Sequence, residues 1–447
     1  MGKQLDFTTG NIWRHMIVFS GPIMITNLLQ TSYQIVDSLW IGNLLGSQAL
    51  GAVSVASSIL FTVLSFIIGL NNASLTILSQ QRGMNNEAGI QRYLNAFIVV
   101  LSLMAIAFSI LGFIFSYKLL LLLGTPADIM DQAQMYLQIN FIGMLFLFGY
   151  NYISTVLRAL GDSKSPLRFV GVAVLLNIVL DPLFIAGFNL GIQGAACATI
   201  VAQGSAFLYG LIYVLRKKAV PFTKVTLPKK EEVALILRLG IPAGLQMSVI
   251  SAGSAAIMSV VTGFGSSVVA GFGAAQRLNS LITLPATALG TAVNSMAGQN
   301  IGIKQWNRVQ MIASRAVLYN FSIMISLGVI LYIAAPYAIQ LFVQDPESVA
   351  FGAMYLRIMA FCYPFLGVNF VLNGIVRSSG AMYQVLILNI ISFWVLRYPF
   401  TAMFSRLYDE LGIPIGIGLS FVVSCFVATM YYTYGKWREK EIFVRGK

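Results

Sequence analysis

Residues 14–41 read RHMIVFSGPIMITNLLQTSYQIVDSLWI, with Arg14 at one end, Asp37 near the other, and no other Lys, Arg, Asp or Glu between them. A helix needs about 20 mostly apolar residues to cross a bilayer, so this stretch is long enough to span one. Its polar residues are not scattered. Thr26, Gln30, Tyr33 and Asp37 are spaced by 4, 3 and 4, which puts them on one helical face with Gln34 at its border. An ionised aspartate near the bilayer centre costs about 2.5–3.5 kcal/mol, so Asp37 needs an explanation.

The rest of the chain has the same character. Of its 447 residues, 57% are hydrophobic and 10% charged, against about 25% charged in a soluble domain, which rules out a water-soluble globular fold. The net charge of +13 would point to nucleic acid in a soluble protein. In a membrane protein basic residues collect in cytoplasmic loops whatever the function, so no nucleic-acid partner is expected. Cys197, Cys362 and Cys425 lie far apart in apolar stretches and read as small core residues. The start, Met1 to His15, has no secretory cleavage pattern, so the first span is expected to be retained.

Apolar runs separated by polar, Gly- or Pro-bearing turns give twelve spans, near 14–41, 48–80, 92–116, 132–157, 165–188, 192–215, 233–262, 268–300, 310–335, 350–376, 384–406 and 412–435. Sorted by loop, 23 basic residues fall on one side, two (Lys118 and Arg406) on the other, and Arg277, Arg357 and Arg397 within spans. That asymmetry predicts cytoplasmic termini. A repeat is also present: Gln80 and Gly83 match Gln299 and Gly302, and Arg158 and Gly161 match Arg377 and Gly380, all 219 residues apart. Pro22 and Pro242, 220 apart, open spans one and seven. The expected organisation is a first six-helix lobe over 1–219, a basic cytoplasmic linker over 220–232, a second lobe over 233–436 and a basic tail over 437–447. With an even number of spans per half, the lobes should be related by an axis along the membrane normal, with a central cavity at their interface.

Only two of the fifteen acids lie inside spans, Asp37 and Asp181, and Asn177 precedes Asp181 by one helical turn. Given the topology, Asp37 sits about four residues, or roughly 6 Å, below the outer end of its span. Asp181 and Thr199 lie in the same outer half. The two carboxylates could therefore share one pocket, where both cannot ionise cheaply, so the pair should take up a proton. The second half offers no acid in return: Asp37 maps onto Ala256, and Asp181-Pro182 onto Tyr398-Pro399 after a small gap. Its intramembrane arginines have a plain reading as snorkelling or carbonyl-paired residues. His15, beside Trp13 and Arg14, belongs to the interface. No metal-ligand spacing, phosphate-binding glycine loop or Ser-His-Asp set is present, which disfavours an intramembrane enzyme.

The segment Gly21-Pro22 through Asp37 to Gly42, the Leu50-Gly51-Ala52 opening of span two, Gln80 to Gly83, and Asn177, Asp181-Pro182 and Thr199 together resemble the multidrug and toxic compound extrusion (MATE) family, most closely its DinF branch, over essentially the whole chain. The resemblance implies that a carboxylate at Asp37 takes up a proton to release an amphipathic, mostly cationic drug, and that the first helix bends near Pro22. Members similar to NorM carry acids in spans seven and ten that are implicated in sodium coupling, whereas the spans read here as seven and ten have none. That departure favours protons. Sodium held by Asp37, Asn177, Asp181 and Thr199 stays as the alternative.

The resulting expectation is a multi-pass protein of the cytoplasmic membrane that acts as a monomeric, proton-coupled antiporter, exports small molecules by alternating access and needs no cofactor. Asp37 and Asp181 would couple protons, with Asn177, Thr199 and Tyr33 supporting them. Gln30 and Gln34 would line the substrate path, and Pro22 would be the hinge. A lipid or glycolipid flippase is the alternative within transport; for a polyanionic headgroup it should carry several inward arginines in both halves.

Overall fold

The computed structural model describes residues 4–222 and 225–443. Residues 223 and 224 of the expected linker, and 444–447 of the expected tail, lie outside the described residues. The chain opens with one 72-residue helical stretch, Ile12–Gly83. Straight, it would be about 108 Å long, against a hydrocarbon core of about 30 Å. It breaks at Gly46, at φ 86° and ψ −176°, a conformation open to glycine because it lacks a Cβ. The break separates helix α1 (12–45) from α2 (47–83).

The remaining helices of the first half are α3 (Glu87–Leu122), α4 (Ala127–Ile142 and Met144–Ala159, bent by 51°), α5 (Lys164–Pro182, prolonged by a π turn, Leu183–Gly187) and α6 (Gly191–Lys217). Then come α7 (Lys230–Val261), α8 (Ser266–Ile282 and Leu284–Gly302), α9 (Trp306–Gln340) and α10 (Pro346–Ser378). The chain closes with α11 (Met382–Ile390, a π turn Ile391–Arg397, then Tyr398–Tyr408) and α12 (Gly412–Tyr434). Among the described residues the fold is all-α with twelve helices, the number read from the apolar runs.

Their outer faces are apolar. Along α3, Leu103, Ile110, Ile114 and Leu121 are each more than half exposed, which in water would be an aggregating stripe and in a bilayer is a lipid-facing one. Contacts between helices use small residues, as expected where backbones must approach closely without a hydrophobic drive. A Cβ on Gly194 of α6 would stand 2.6 Å from the Phe184 carbonyl carbon, and one on Gly416 of α12 would stand 2.6 Å from Thr401 Cα. The three cysteines are free, with Cys425 buried.

The repeat recurs in the backbone. Gly46 and Gly265, Asn85 and Lys304, and Gly161 and Gly380 all have positive φ, and each pair is 219 residues apart. Left-handed turns of this kind stop one span and start the next, so the two halves are punctuated alike.

Two compact units result, and they do not divide at the basic linker. Among the described residues, one comprises 4–5, 25–222 and 225–241; the other comprises 6–24 and 242–443. The reason is a pair of equivalent clamps. In the second unit the Phe7 amide donates to Gln299 Oε1 (3.0 Å), while Asn300 Nδ2 (3.0 Å) and Arg308 Nε (2.9 Å) donate to the Phe7 carbonyl. Phe7 also packs edge-on against Phe19 of α1, ring centroids 4.8 Å apart. In the first unit the residue 219 positions later is held likewise: Asn95 Nδ2 donates to Thr226 O (2.6 Å) and the Thr226 amide to Asn95 Oδ1 (3.1 Å), with Arg92 paired to Glu232 at 3.2 Å. Each helix that changes unit carries a proline within three residues of the change, Pro22 in α1 and Pro242 in α7. A proline there removes a backbone hydrogen bond and favours a bend.

Candidate functional site

The site is built in the first unit by α1, α4, α5 and α6. On α1, Thr26 is fully buried and Asp37 is buried, while Gln30 and Tyr33 are half-buried. On α5, Asn177 and Asp181 are buried, and Asn177 Nδ2 donates to Asp181 Oδ1 at 3.1 Å. This is the one-turn contact that their spacing predicts. Thr199 of α6 is buried beside the Tyr33 phenol. The Asp37 and Asp181 carboxyl groups lie next to one another. The structure therefore brings together Asp37, Asp181, Asn177, Thr199 and Tyr33.

Gln30 reaches the edge of this cluster, donating through Nε2 to Tyr150 Oη at 3.4 Å. Gln34 does not join it: the residue is exposed and its carbonyl accepts from Ser38 Oγ at 2.9 Å. Pro22 is fifteen residues before Asp37 in α1, in the stretch that groups with the second unit.

Two residues that sequence reasoning passed over stand at the site. Tyr136 of α4 lies near Asp37, Asp181 and Tyr33, and Tyr150 lies near Tyr33. Asn140, one turn after Tyr136, donates to its carbonyl at 2.9 Å. The spacing of Tyr136 and Asn140 is the same one-turn signal that singled out Asn177 and Asp181. Both tyrosines owe their placement to the bend at Gly143, where a Cβ would lie 2.5 Å from Ile200 Cγ1. Ile200 follows Thr199, so the missing side chain brings α4 against α6 at the level of the site.

Among the described residues no lysine or arginine pairs with either acid: the ion pairs are Arg92–Glu232 and Lys304–Glu441. Two carboxylates about 4 Å apart at an effective dielectric of about 20 repel by about 4 kcal/mol, on top of the cost of burying each. Further, Asp37 Oδ1, Asn177 Oδ1, Asp181 Oδ2 and Thr199 Oγ1 are buried without a hydrogen-bond partner of ordinary geometry. Unpaired buried acceptors are costly. What satisfies a cluster of oxygen acceptors with surplus negative charge is a proton or a small hard cation.

The second unit has different chemistry. Ala256 stands at the position equivalent to Asp37. The Arg277 guanidinium lies over Phe342 (5.7 Å), and Arg357, which is exposed, lies over Tyr332 (5.7 Å). Arg397 is held between Phe393 and Phe421.

Comparison with known proteins follows the same two halves. The MatE family model matches the chain twice, over residues 22–183 and 242–403. The chain is 59% identical over 441 residues to the "Probable multidrug resistance protein YpnP" of Bacillus subtilis, covering 99% of each chain. It is 29% identical to the "Probable multidrug resistance protein YoeA" of the same organism, over 97% of this chain and 96% of that one. In fold it matches the crystal structure of a MATE protein in complex with MaL6 at a TM-score of 0.93, with 22% identity over 99% of this chain and 100% of the other. The chain belongs to the MatE family of polytopic membrane transporters and is not an enzyme.

Proposed function

We propose that the protein is a multidrug antiporter of the cytoplasmic membrane, with both termini cytoplasmic, that exports amphipathic, mostly cationic compounds in exchange for protons. The observation that carries this reading is that Asp37 and Asp181 are neighbours, two buried acids without a basic partner among the described residues. A bound cationic substrate and a proton both relieve the same surplus of negative charge, so each displaces the other. Asp37 and Asp181 exchange the proton, Asn177 orients Asp181, and Thr199 and Tyr33 support the pair. Gln30 and Gln34 line the substrate path, and α1 bends at Pro22. The names of the relatives, multidrug resistance proteins, support the substrate class.

The driving force suffices. A proton moving down about 100 mV yields about 2.3 kcal/mol, and one pH unit adds about 1.4 kcal/mol. Together they sustain a substrate gradient of a few hundredfold per proton.

Sodium is the second reading, favoured by the four unpartnered oxygens Asp37 Oδ1, Asn177 Oδ1, Asp181 Oδ2 and Thr199 Oγ1, a donor set that suits a hard cation. Efflux of ethidium from proteoliposomes separates the two. An acidic exterior without sodium should drive efflux. No efflux there, with restoration by an inward sodium gradient, would overturn proton coupling and leave an antiporter driven by sodium.

A further inference from the structure

The second unit holds a cation for which the coupling reading has no use. Arg397 ends the π turn of α11, well inside the helix. Its guanidinium carbon lies 3.7 Å from the ring centroid of Phe393 on α11 and 4.6 Å from that of Phe421 on α12. The group is thus enclosed by two aromatic rings. Its Nε donates to Ser420 Oγ at 3.3 Å, and Ser420 in turn donates to the Ile417 carbonyl at 2.6 Å. The Tyr355 phenol of α10 stands nearby, and Tyr363, close to Tyr355, has a buried hydroxyl without a partner.

No countercharge accompanies the guanidinium. Among the described residues it enters no ion pair, its two Nη nitrogens have no hydrogen-bond partner, and every Asp and Glu of the second unit lies in a loop or at a helix end. Aromatic contact satisfies the faces of a guanidinium and leaves its in-plane N–H fork free, and that fork matches a carboxylate bidentately. An uncompensated charge at this depth is costly and marks a functional position, and π turns concentrate at such positions.

We propose that Arg397 is an anion subsite that binds the carboxylate of an amphipathic molecule, with Phe393, Phe421 and Tyr355 receiving the apolar part. One guanidinium with no second cation beside it matches a single negative charge, hence a monocarboxylate and not a phosphate dianion. The inference adds organic carboxylates, anionic or zwitterionic, to the molecules the protein binds, and it does not depend on the coupling ion.

The test is equilibrium binding to the full-length protein in phosphatidylcholine nanodiscs, using 1-pyrenebutyrate and its methyl ester, which share a ring system and differ in charge. Wild type should bind the acid about tenfold or more tightly than the ester, the size expected of a charge-assisted hydrogen bond. Arg397→Gln should abolish that preference with ester binding unchanged. Asp37→Asn should retain it, so a failure of the coupling reading would leave this result untouched. Should Arg397→Gln not fold, Ser420→Ala keeps the charge but loses the Nε acceptor, and should reduce the preference. Equal binding of acid and ester by wild type, or an unchanged preference in the variants of Arg397 and Ser420, would leave Arg397 as a packing residue and overturn the proposal. A preference that disappears when the nanodiscs contain phosphatidylglycerol would assign the subsite to a lipid phosphate and overturn it as well.

Discussion

Asp37→Asn replaces an acid by its neutral isostere where charge is expensive, so the variant should insert and accumulate normally while losing coupled efflux. Expression level and ethidium efflux measured together check this, and wild-type efflux at normal expression would remove Asp37 from the mechanism. The pair makes a second prediction. Because the Asp37 and Asp181 carboxyls are neighbours, Asp181→Asn should shift the infrared titration of the Asp37 carboxyl; an unshifted titration would mean that the two do not interact. Asp37, Asn177 and Asp181 were legible in sequence because a charge inside an apolar run is energetically conspicuous. Tyr136 and Tyr150 were not, because a tyrosine costs little in such a run and belongs equally well to a core, a lipid face or a site.

Helix ends and breaks set where these residues stand. At Gly143, between the two pieces of α4, a side chain has no room beside Ile200. Gly143→Leu should therefore lower stability by about 1–3 kcal/mol, as overpacking does, and impair efflux through Thr199; a thermal-shift midpoint equal to wild type would contradict this. At the start of α10, Asp345 accepts from the hydroxyl (2.7 Å) and amide (2.9 Å) of Ser348, and these bonds hold its carboxyl below the ordinary range. A carboxyl depressed by folding stabilises above its unfolded pKa and loses that contribution as pH falls through the folded value. Asp345→Ala should thus lower the midpoint at neutral pH, and the difference from wild type should narrow in acid. An undiminished difference in acid would contradict the cap. Span positions were readable from apolar runs, and Pro22 and Pro242 marked two of them. The π turns of α5 and α11, and the grouping of Asp6–Met24 with the second unit, were not readable. Local sequence does not reveal which bundle a half-helix packs against when clamps as distant as Phe7 and Gln299 decide it.

Across the whole molecule one architectural repeat carries two unlike chemistries. Positive-φ turns and helix limits recur at an offset of 219 residues, yet Asp37 has Ala256 as its counterpart, and the charges within the spans of the second half are arginines, Arg397 among them. The repeat was visible in sequence because turns need particular residues, whereas the asymmetry of function shows only in which side chains the shared frame carries. The central claim is that cation and proton compete for the Asp37–Asp181 pair. It is tested most directly by measuring, with a pH indicator in weakly buffered detergent solution, the protons released when purified protein binds ethidium. The account predicts release from wild type, none from Asp37→Asn/Asp181→Asn, and wild-type ethidium affinity that weakens as pH falls. Ethidium binding with no proton release, and with an affinity indifferent to pH, would contradict it.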